Sequence, residues 1–435
     1  MEKNNIIKEL IFILAIIWMG FLGNYFYTLS WIFLIFYSLR DKESAIKALL
    51  IGVILNYLNP LIFPLSEYGG LLKWGLLFIA SGKILLSTNI NLKENKWIVP
   101  LYIFSLFSFL ASLLNSSLIF ISIAKIATFT LGITVLLIGI KNTKKSFIPF
   151  LISLSYSFIL SSIPFIFISS GYIEGHGFFK GIINHSQALG VLLVFPFIIF
   201  SYFWINKKYG LHSKIISTLS AILLYLTWSR TAIFSIIIGL SLSYFYISFK
   251  NKSLKLNKKI VVFILLILTI SSFFIVFQNP NLDEDLYGYI TKERGVEGNI
   301  INRIYKHRSH LIESSMENFR EEPLIGNGFG IYPGKEYEEE IVLKAPTEKG
   351  NIITSLLEEV GIFGLILFSI FIISLLKSFK KMNLLNLWVF SSVFLIQLGE
   401  MNFFSAGGLG IFLWFFLGLS LNDKIDNQNN NNNNN

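Results

Sequence analysis

A few charged side chains stand in apolar surroundings, where an ionised group is costly and marks a candidate functional site. Arg230 lies between two apolar stretches, directly after Thr227-Trp228-Ser229. Lys125 lies inside one apolar stretch, and Glu400 lies near the end of another. Arg230 could simply reach for the membrane surface, but its immediate neighbours are not basic, and Trp228 and Ser229 suggest a shaped polar pocket, which favours a functional role. For Lys125, an internal ion pair and a functional role are equal alternatives.

A glycine-rich run over residues 175–187 carries Lys180 and His185 just before another apolar stretch. A cation and an imidazole at this place predict contact with an anionic substrate. The run holds two histidines but no carboxylate at metal-ligand spacing, and the chain contains no cysteine. We therefore predict neither a metal site nor a cofactor.

A third polar group follows in the long segment before residue 352. Apolar residues recur at helical spacing over 302–321, which predicts an amphipathic helix. Its polar side chains are Arg303, His307, Arg308 and His310. Pro323 ends the helix, and the turn Gly326-Asn327-Gly328-Phe329-Gly330 allows close approach to a ligand or to another backbone. Three further candidates come after the turn, namely Glu348, Lys349 and Asn351. The whole segment could instead be a structural cap on the protein. We favour the interpretation that it forms part of a functional site.

The elements that position these residues are apolar helices in a bilayer. Hydrophobic residues make up 54% of the chain and charged residues 14%, against about 25% charge in soluble domains. Fourteen apolar stretches fall near residues 6–23, 25–39, 46–63, 71–87, 97–114, 118–140, 147–170, 187–205, 214–228, 231–249, 260–277, 354–376, 384–398 and 403–421. Several are shorter than the roughly 20 residues that cross a bilayer. The sequence thus predicts an all-α polytopic membrane protein with twelve to fourteen spans.

Basic residues predict the orientation of the chain. Alternate short connections are rich in Lys and Arg, whereas the opposite set contains only Lys180. By the positive-inside rule both termini are cytoplasmic and the large loop at 278–353 faces the periplasm or the cell exterior. The formal net charge of +10 is mostly this topology signal, which argues against a nucleic-acid partner. The loop itself holds 14 acidic and 9 basic residues.

The same patterns divide the chain into regions. We predict an N-terminal transmembrane bundle over 1–277, the large loop over 278–353 and C-terminal transmembrane helices over 354–421. The Asn-rich residues 422–435 form a low-complexity tail that we expect to be disordered. A loop of more than about 15 residues usually serves a function or is disordered. The helical pattern at 302–321 favours function here.

The order of these features resembles the bacterial O-antigen ligase / O-antigen polymerase superfamily over about residues 176–364. The shared pattern is a Gly-rich loop before a span, Ser-Arg-small at a span junction and a long outward loop. Its most specific parts are Pro323–Gly330 and Leu356–Gly364. The resemblance implies a GT-C-like fold and an inverting, metal-independent glycosyltransferase of the bacterial inner membrane. Such enzymes pass a glycan from an undecaprenyl-diphosphate carrier to an acceptor hydroxyl, within the lipid bilayer and beside other glycan-assembly membrane proteins.

The resemblance also implies roles for single residues. Arg230 matches the arginine of the Ser-Arg-small junction, and Arg303 matches the arginine that opens the loop helix. The two would bracket the diphosphate, and the other candidates for substrate binding are Arg308, Lys180, His185, Lys349 and Asn351. Gly350 stands where the ligases have a histidine before the asparagine. The general base is therefore open among Glu348, His307 and His310.

This departure favours a polymerase of lipid-linked repeats. The first alternative is an O-antigen ligase-type transfer to lipid A–core or another acceptor. The second alternative, from a different class, is a transporter of lipid-linked glycans or solutes. A polar chamber at the bilayer midplane around Lys125 would favour transport. An outward cavity lined by Arg230 and Arg303 would favour the enzyme.

Overall fold

The computed structural model describes residues 2–88, 90–143, 147–174, 177–250, 312–331, 350–405, 407–423 and 425. Within these ranges the protein is all-helical, with thirteen α-helices besides the helical residues 312–321 and without a β-strand. Two isolated β-bridges, Leu58–Ile183 and Tyr172–Phe179, occur in connections. The predicted fold class, a polytopic α-helical membrane protein, is confirmed.

We number the helices in chain order, leaving 312–321 outside the numbering as the loop helix. Their bounds are α1 Glu2–Met19, α2 Asn24–Arg40, α3 Lys42–Asn56, α4 Gly69–Leu86, α5 Ile98–Asn115, α6 Ile119–Lys141, α7 Ile148–Ser162, α8 Ser186–Ile205, α9 Gly210–Thr227, α10 Arg230–Lys250, α11 Ile352–Leu376, α12 Leu384–Gln397 and α13 Leu409–Leu421.

Nine helices in the described part of the chain are long and apolar enough to cross a membrane. They are α1 and α4 to α11, with α7 counted together with its helical continuation to Phe167. The helices α2, α3, α12 and α13 have 17, 15, 14 and 13 residues. At 1.5 Å per residue, the 14 residues of α12 cover about 21 Å, less than a hydrocarbon core of about 30 Å. The predicted stretch at 260–277 lies outside the described residues.

The shorter helices α3 and α13 form the interior of the bundle. Every residue of α13 is buried, as is every residue of α3 from Ser44 to Leu55 except Lys47. A helix that is apolar on all sides fits only where neighbours surround it. α13 packs on α3 and α6, α11 packs on α5, and α10 packs on α12. The C-terminal helices are thus inserted among the N-terminal ones.

One end of the bundle gathers the polar connections, and we call it the loop end. It holds residues 312–331 and the connections 57–68, 116–118, 163–185, 228–229 and 398–408. Backbone hydrogen bonds and ring contacts join them, including Asn184 N to Tyr57 O at 2.7 Å, Phe179 N to Leu226 O at 3.1 Å, and Phe329 to Phe404 at 4.9 Å between ring centroids. The loop end is the one that the positive-inside pattern predicts to face outward.

Candidate active site

The glycine turn of the loop is bonded to a break in α11. Gly361 has φ 64° and ψ −168°, which interrupts the helix and frees backbone groups on both sides of the break. The turn supplies their partners. Four hydrogen bonds join the two segments, namely Asn327 N to Glu358 O (2.9 Å), Gly328 N to Glu359 O (3.0 Å), Ile362 N to Pro323 O (3.0 Å) and Phe363 N to Leu324 O (3.2 Å).

Two glycines make this joint possible. Gly326 has φ +73°, and a Cβ at that position would overlap the carbonyl carbon of Glu359. A Cβ on Gly361 would overlap the carbonyl carbon of Leu324 in the same way. The turn was predicted to approach a ligand or another backbone closely, and in this structure it approaches another backbone.

A buried carboxylate fixes the loop helix to the same place. Glu358 is 0% exposed and accepts hydrogen bonds from Ser315 Oγ at 2.8 Å and Asn318 Nδ2 at 2.9 Å. Asn327 Nδ2 in turn donates to Asn318 O at 2.7 Å. These bonds set the position of the loop helix, whose N-terminal continuation is predicted to carry Arg303.

Helices α5 and α6 hold the other side of the turn. Asn115 Nδ2 donates to Gly326 O at 2.9 Å, and Phe329 N donates to Ser112 Oγ at 3.0 Å. Lys125 Nζ donates to Gly330 O. Lys125 lies six residues into α6, about 9 Å from the helix start. The side chain therefore binds the loop motif near the loop end of the bundle.

The aromatic ring of Phe329 anchors the turn in the bundle. It is 0% exposed and packs against Phe104, Phe129 and Phe404, with ring centroids 6.3, 5.8 and 4.9 Å away. Aromatic pairs at these separations are favourable beyond their buried area. The contact with Phe404 connects the loop motif to the 398–408 connection.

Arg230 lies at the loop end as the first residue of α10. The connection before it is tight, because Trp228 is left-handed at φ 53° and Arg230 N donates to Trp228 O at 3.1 Å. The side chain is half-buried. A helix N-terminus carries partial positive charge, so the guanidinium and the helix end together favour an anion here.

The Arg230 junction is wedged between α8 and the end of α12. Ser229 is buried against Gly190, where a Cβ would overlap the serine side chain. A Cβ on Gly399 would lie 2.6 Å from Thr231 Cγ2. Because Glu400 follows Gly399, the structure brings the segments of Arg230 and Glu400 together. Glu400 is half-buried.

The connection that carries Lys180 packs on this junction. The Phe178 ring lies 5.5 Å from the Trp228 ring. Lys180 is 8% exposed, and its backbone N donates to Gly171 O at 2.8 Å. Burial lowers the pKa of the Lys180 ammonium group, and the carboxylate of Glu174 opposes that shift. A desolvated cation of this kind gains from an incoming anion.

Two further predicted binding residues cap helices. His185 precedes α8, and its Nδ1 accepts from Gln187 N at 3.2 Å. Asn351 precedes α11, and its Oδ1 accepts from Ile353 N at 2.7 Å. Both side chains thereby satisfy amides that would otherwise lack a partner. Their roles in substrate binding stay predictions.

The remaining candidates lie outside the described residues. They are Arg303, His307, Arg308, His310, Glu348 and Lys349. Their roles as anion-binding groups and as general base are therefore unchanged predictions. Among the residues that the structure places, no group of three or more His, Asp or Glu side chains could hold a metal ion.

Sequence reasoning did not single out Lys73, Glu358 or Glu359. Lys73 falls in the predicted stretch 71–87, and the two glutamates fall in 354–376. An ionisable residue inside a predicted span was the signal that could have found all three. Both glutamates are almost fully buried, at 0% and 1% exposure.

The fold defines a class, a multi-pass membrane protein whose bundle carries Arg230 and Lys180 at one end. Residues 215–369 match the family model described as O-antigen ligase. This match covers less than half of the chain, so it shows a region that is similar to the O-antigen ligase family. No curated protein matches the chain. The family points to a transferase-like enzyme that processes glycans in a lipid bilayer.

The matched region holds part of the site described above. It includes Arg230, the turn at Pro323–Gly330, Asn351 and the break at Gly361. Four of the predicted residues that the structure describes lie outside it, namely Lys125, Lys180, His185 and Glu400. In the structure, the 398–408 connection contacts the matched region at both Thr231 and Phe329.

Proposed function

We propose that the protein is a membrane glycosyltransferase that polymerises undecaprenyl-diphosphate-linked oligosaccharide repeats into O-antigen or another surface polysaccharide. The reaction takes place at the outer face of the bacterial inner membrane. The observation that carries the proposal is Arg230, which begins α10 within the O-antigen ligase match, at the same end of the bundle as the buried Lys180.

In the proposed reaction an acceptor hydroxyl attacks the anomeric carbon of the donor glycan. The new glycosidic bond forms as the bond to the lipid diphosphate breaks, and the diphosphate leaves with the electron pair. Attack from the opposite side inverts the anomeric configuration. The hydroxyl proton passes to a general base, for which Glu348, His307 and His310 are the candidates.

Arginine suits the leaving group because a guanidinium binds phosphate oxygens with two parallel hydrogen bonds and keeps its charge. Arg230 would hold the diphosphate from the membrane side, and Arg303 with Arg308 would approach from the loop. Fixed cations of this kind stabilise charge as it develops, which is the basis for proposing a metal-independent reaction. Lys180, Lys349, His185 and Asn351 complete the proposed binding set.

Ligation of a finished glycan is the second candidate function. The description of the matching family, O-antigen ligase, favours it. Gly350 argues against a lipid A–core ligase, since the resemblance places the histidine base of the ligases at that position. Transport has less support, because Lys125 binds the Gly330 carbonyl of the loop motif rather than lining a chamber at the midplane.

A reconstituted reaction tests the proposal. The purified protein in liposomes is given undecaprenyl-diphosphate-linked repeats, and the products are separated by length. A ladder of glycans supports the polymerase, a single product on an added acceptor supports the ligase, and no transfer with either refutes both.

Arg230→Ala tests the role of the arginine in the same assay. We expect loss of product by at least about a hundredfold, because charge-assisted phosphate contacts of about 1.5–3 kcal/mol each are removed from a bidentate group. The control is Arg40→Ala, at the opposite end of the bundle with a side chain 76% exposed. Equal activity of Arg230→Ala and Arg40→Ala, at equal protein levels in the membrane, contradicts the proposed mechanism.

A further inference from the structure

Lys73 turns toward the inside of the bundle. It is the fifth residue of α4, close to the loop end. Residues three, four and seven positions later on the same helix face are Leu76, Leu77 and Ala80, all buried. The exposed face of α4 carries Leu71 and Phe78 instead. Lys73 is therefore not placed as a cation that reaches along lipid toward the membrane surface.

No carboxylate neutralises Lys73 within the part of the chain that the structure describes. The ion pairs there involve Arg40, Lys47 and Lys141. Lys73 Nζ lies 5.0 Å from the centre of the Trp74 ring, which is a weak electrostatic contact. Ionisable residues inside spans mark substrate or ion sites when they face the bundle interior.

The connection between α12 and α13 forms the opposite wall. A Cβ on Gly407 would lie 3.0 Å from Lys73 Cε and 3.3 Å from Nζ, so the glycine backbone is in direct contact with the cation. The Tyr57 hydroxyl hydrogen bonds with the Ser405 side chain and with the backbone of Leu409. Leu409 begins α13, whose positive end adds to the charge of Lys73. The hydroxyls of Tyr57 and Ser405 lie against Gly408, directly after the Gly407 that contacts Lys73 and directly before the N-terminus of α13.

We propose that Lys73, with the hydroxyls of Tyr57 and Ser405, binds the phosphate group of a second lipid-linked glycan. This assignment rests on the proposed polymerase function for the identity of that lipid. A polymerase joins two lipid-linked glycans, so two diphosphates must be held at one membrane face. Arg230 holds the diphosphate that leaves, and Lys73 holds the one that stays on the accepting molecule.

The connection between α12 and α13 reaches the neighbourhood of both cations. Gly399 contacts Thr231, beside Arg230, and Gly407 contacts Lys73. Eight residues separate the two glycines, which spans at most about 28 Å in extended chain. The attacking hydroxyl belongs to a sugar of the accepting repeat, so its diphosphate must lie away from the reacting carbon. Two separate anion sites along one connection satisfy that requirement.

The experiment measures binding without turnover, so that it is independent of whether the protein polymerises. Undecaprenyl diphosphate is titrated against detergent-solubilised protein, and the lipids bound per chain are counted by native mass spectrometry. We expect two bound lipids in the wild type and one in Lys73→Met. The matched control is Lys83→Met, the same change in the last turn of the same helix, and it should keep two.

Further arms identify the ligand and guard against misfolding. Tyr57→Phe, which removes only a hydroxyl, should weaken the second binding event about tenfold, the size of one hydrogen bond to a charged group. Lys73→Arg should retain the second binding event, and Arg230→Met should remove the other lipid.

Equal binding by Lys73→Met and Lys83→Met overturns the proposal. Displacement by inorganic pyrophosphate at the same concentration as the lipid overturns its lipid assignment. Two bound lipids with no polymer in the reconstituted reaction would leave the site standing and refute the polymerase alone.

Discussion

Replacing Glu358 by alanine should release the loop helix from α11. The carboxylate is 0% exposed and receives hydrogen bonds from Ser315 and Asn318. A hydrogen bond to a charged group contributes about 1.5–3 kcal/mol. Ser315 is buried and loses its partner outright, whereas the half-buried Asn318 can turn to water. The free energy of opening this contact should therefore fall by about 1.5–3 kcal/mol.

Hydrogen–deuterium exchange measures that opening directly. A loss of about 1.4 kcal/mol is a factor of ten in an equilibrium constant, so amides of residues 312–331 should exchange about ten to a hundred times faster. Glu358→Gln keeps an acceptor for Ser315 and should show a smaller increase. Exchange in the interior helix α13 should not change, because its contacts do not involve Glu358.

The control for this prediction lies on the loop helix. Glu317 is exposed, and Glu317→Ala removes an equal charge without touching α11. Wild-type exchange over 312–331 in Glu358→Ala would refute the idea that the carboxylate holds the loop. Faster exchange in all helices alike would show a general loss of stability instead.

Two other changes test the joint at Gly361 and the proposed role of Lys180. Gly361→Ala places a side chain at φ +64° and into the carbonyl of Leu324, so the midpoint temperature of thermal unfolding should fall by several degrees. The control is Gly82→Ala, which has open space around it and should leave the midpoint unchanged or raise it. An unchanged midpoint in Gly361→Ala would contradict the described joint. Glu174→Gln removes the charge that raises the pKa of Lys180, so the cation should deprotonate at lower pH and the alkaline limb of the activity profile should move down. An unshifted profile would exclude Lys180 from substrate binding.

Much of the helix plan could be predicted from hydropathy. The stretches predicted at 214–228 and 231–249 correspond to α9 and α10, and Arg230 does fall at their junction. The helical pattern at 302–321 agrees with the described helical residues 312–321. These predictions agree with the structure because a membrane span is a local run of apolar residues with few charges, which can be seen in the sequence alone.

Helix ends in buried connections were predicted less well. The stretch predicted at 46–63 exceeds α3, which ends at Asn56. The connection after it remains apolar because it is buried, and Asn59 Nδ2 satisfies the carbonyl of Ser170 at 2.8 Å. The stretch at 403–421 likewise exceeds α13, which begins only at Leu409. Hydropathy reports burial, so it cannot tell a helix from a buried turn.

The partners of the loop motif could not be predicted at all. Its glycines indicated close approach to something, but the bond from Asn115 to Gly326 joins residues far apart in the sequence. No local periodicity encodes such pairing. For Lys73, the sequence shows its position inside a predicted span. Its contact with Gly407, by contrast, is seen only in the structure.

The joint between Pro323–Gly330 and the break in α11 has a consequence for biogenesis. Its hydrogen bonds connect the turn to residues that are synthesised later and to α5, which is synthesised much earlier. The turn is therefore synthesised before its second partner, and the joint can close only after α11 has entered the membrane. Assembly of the loop end is thus coupled to insertion of one late helix, and a chain stalled before α11 would present the glycine turn without its hydrogen bonds to α11.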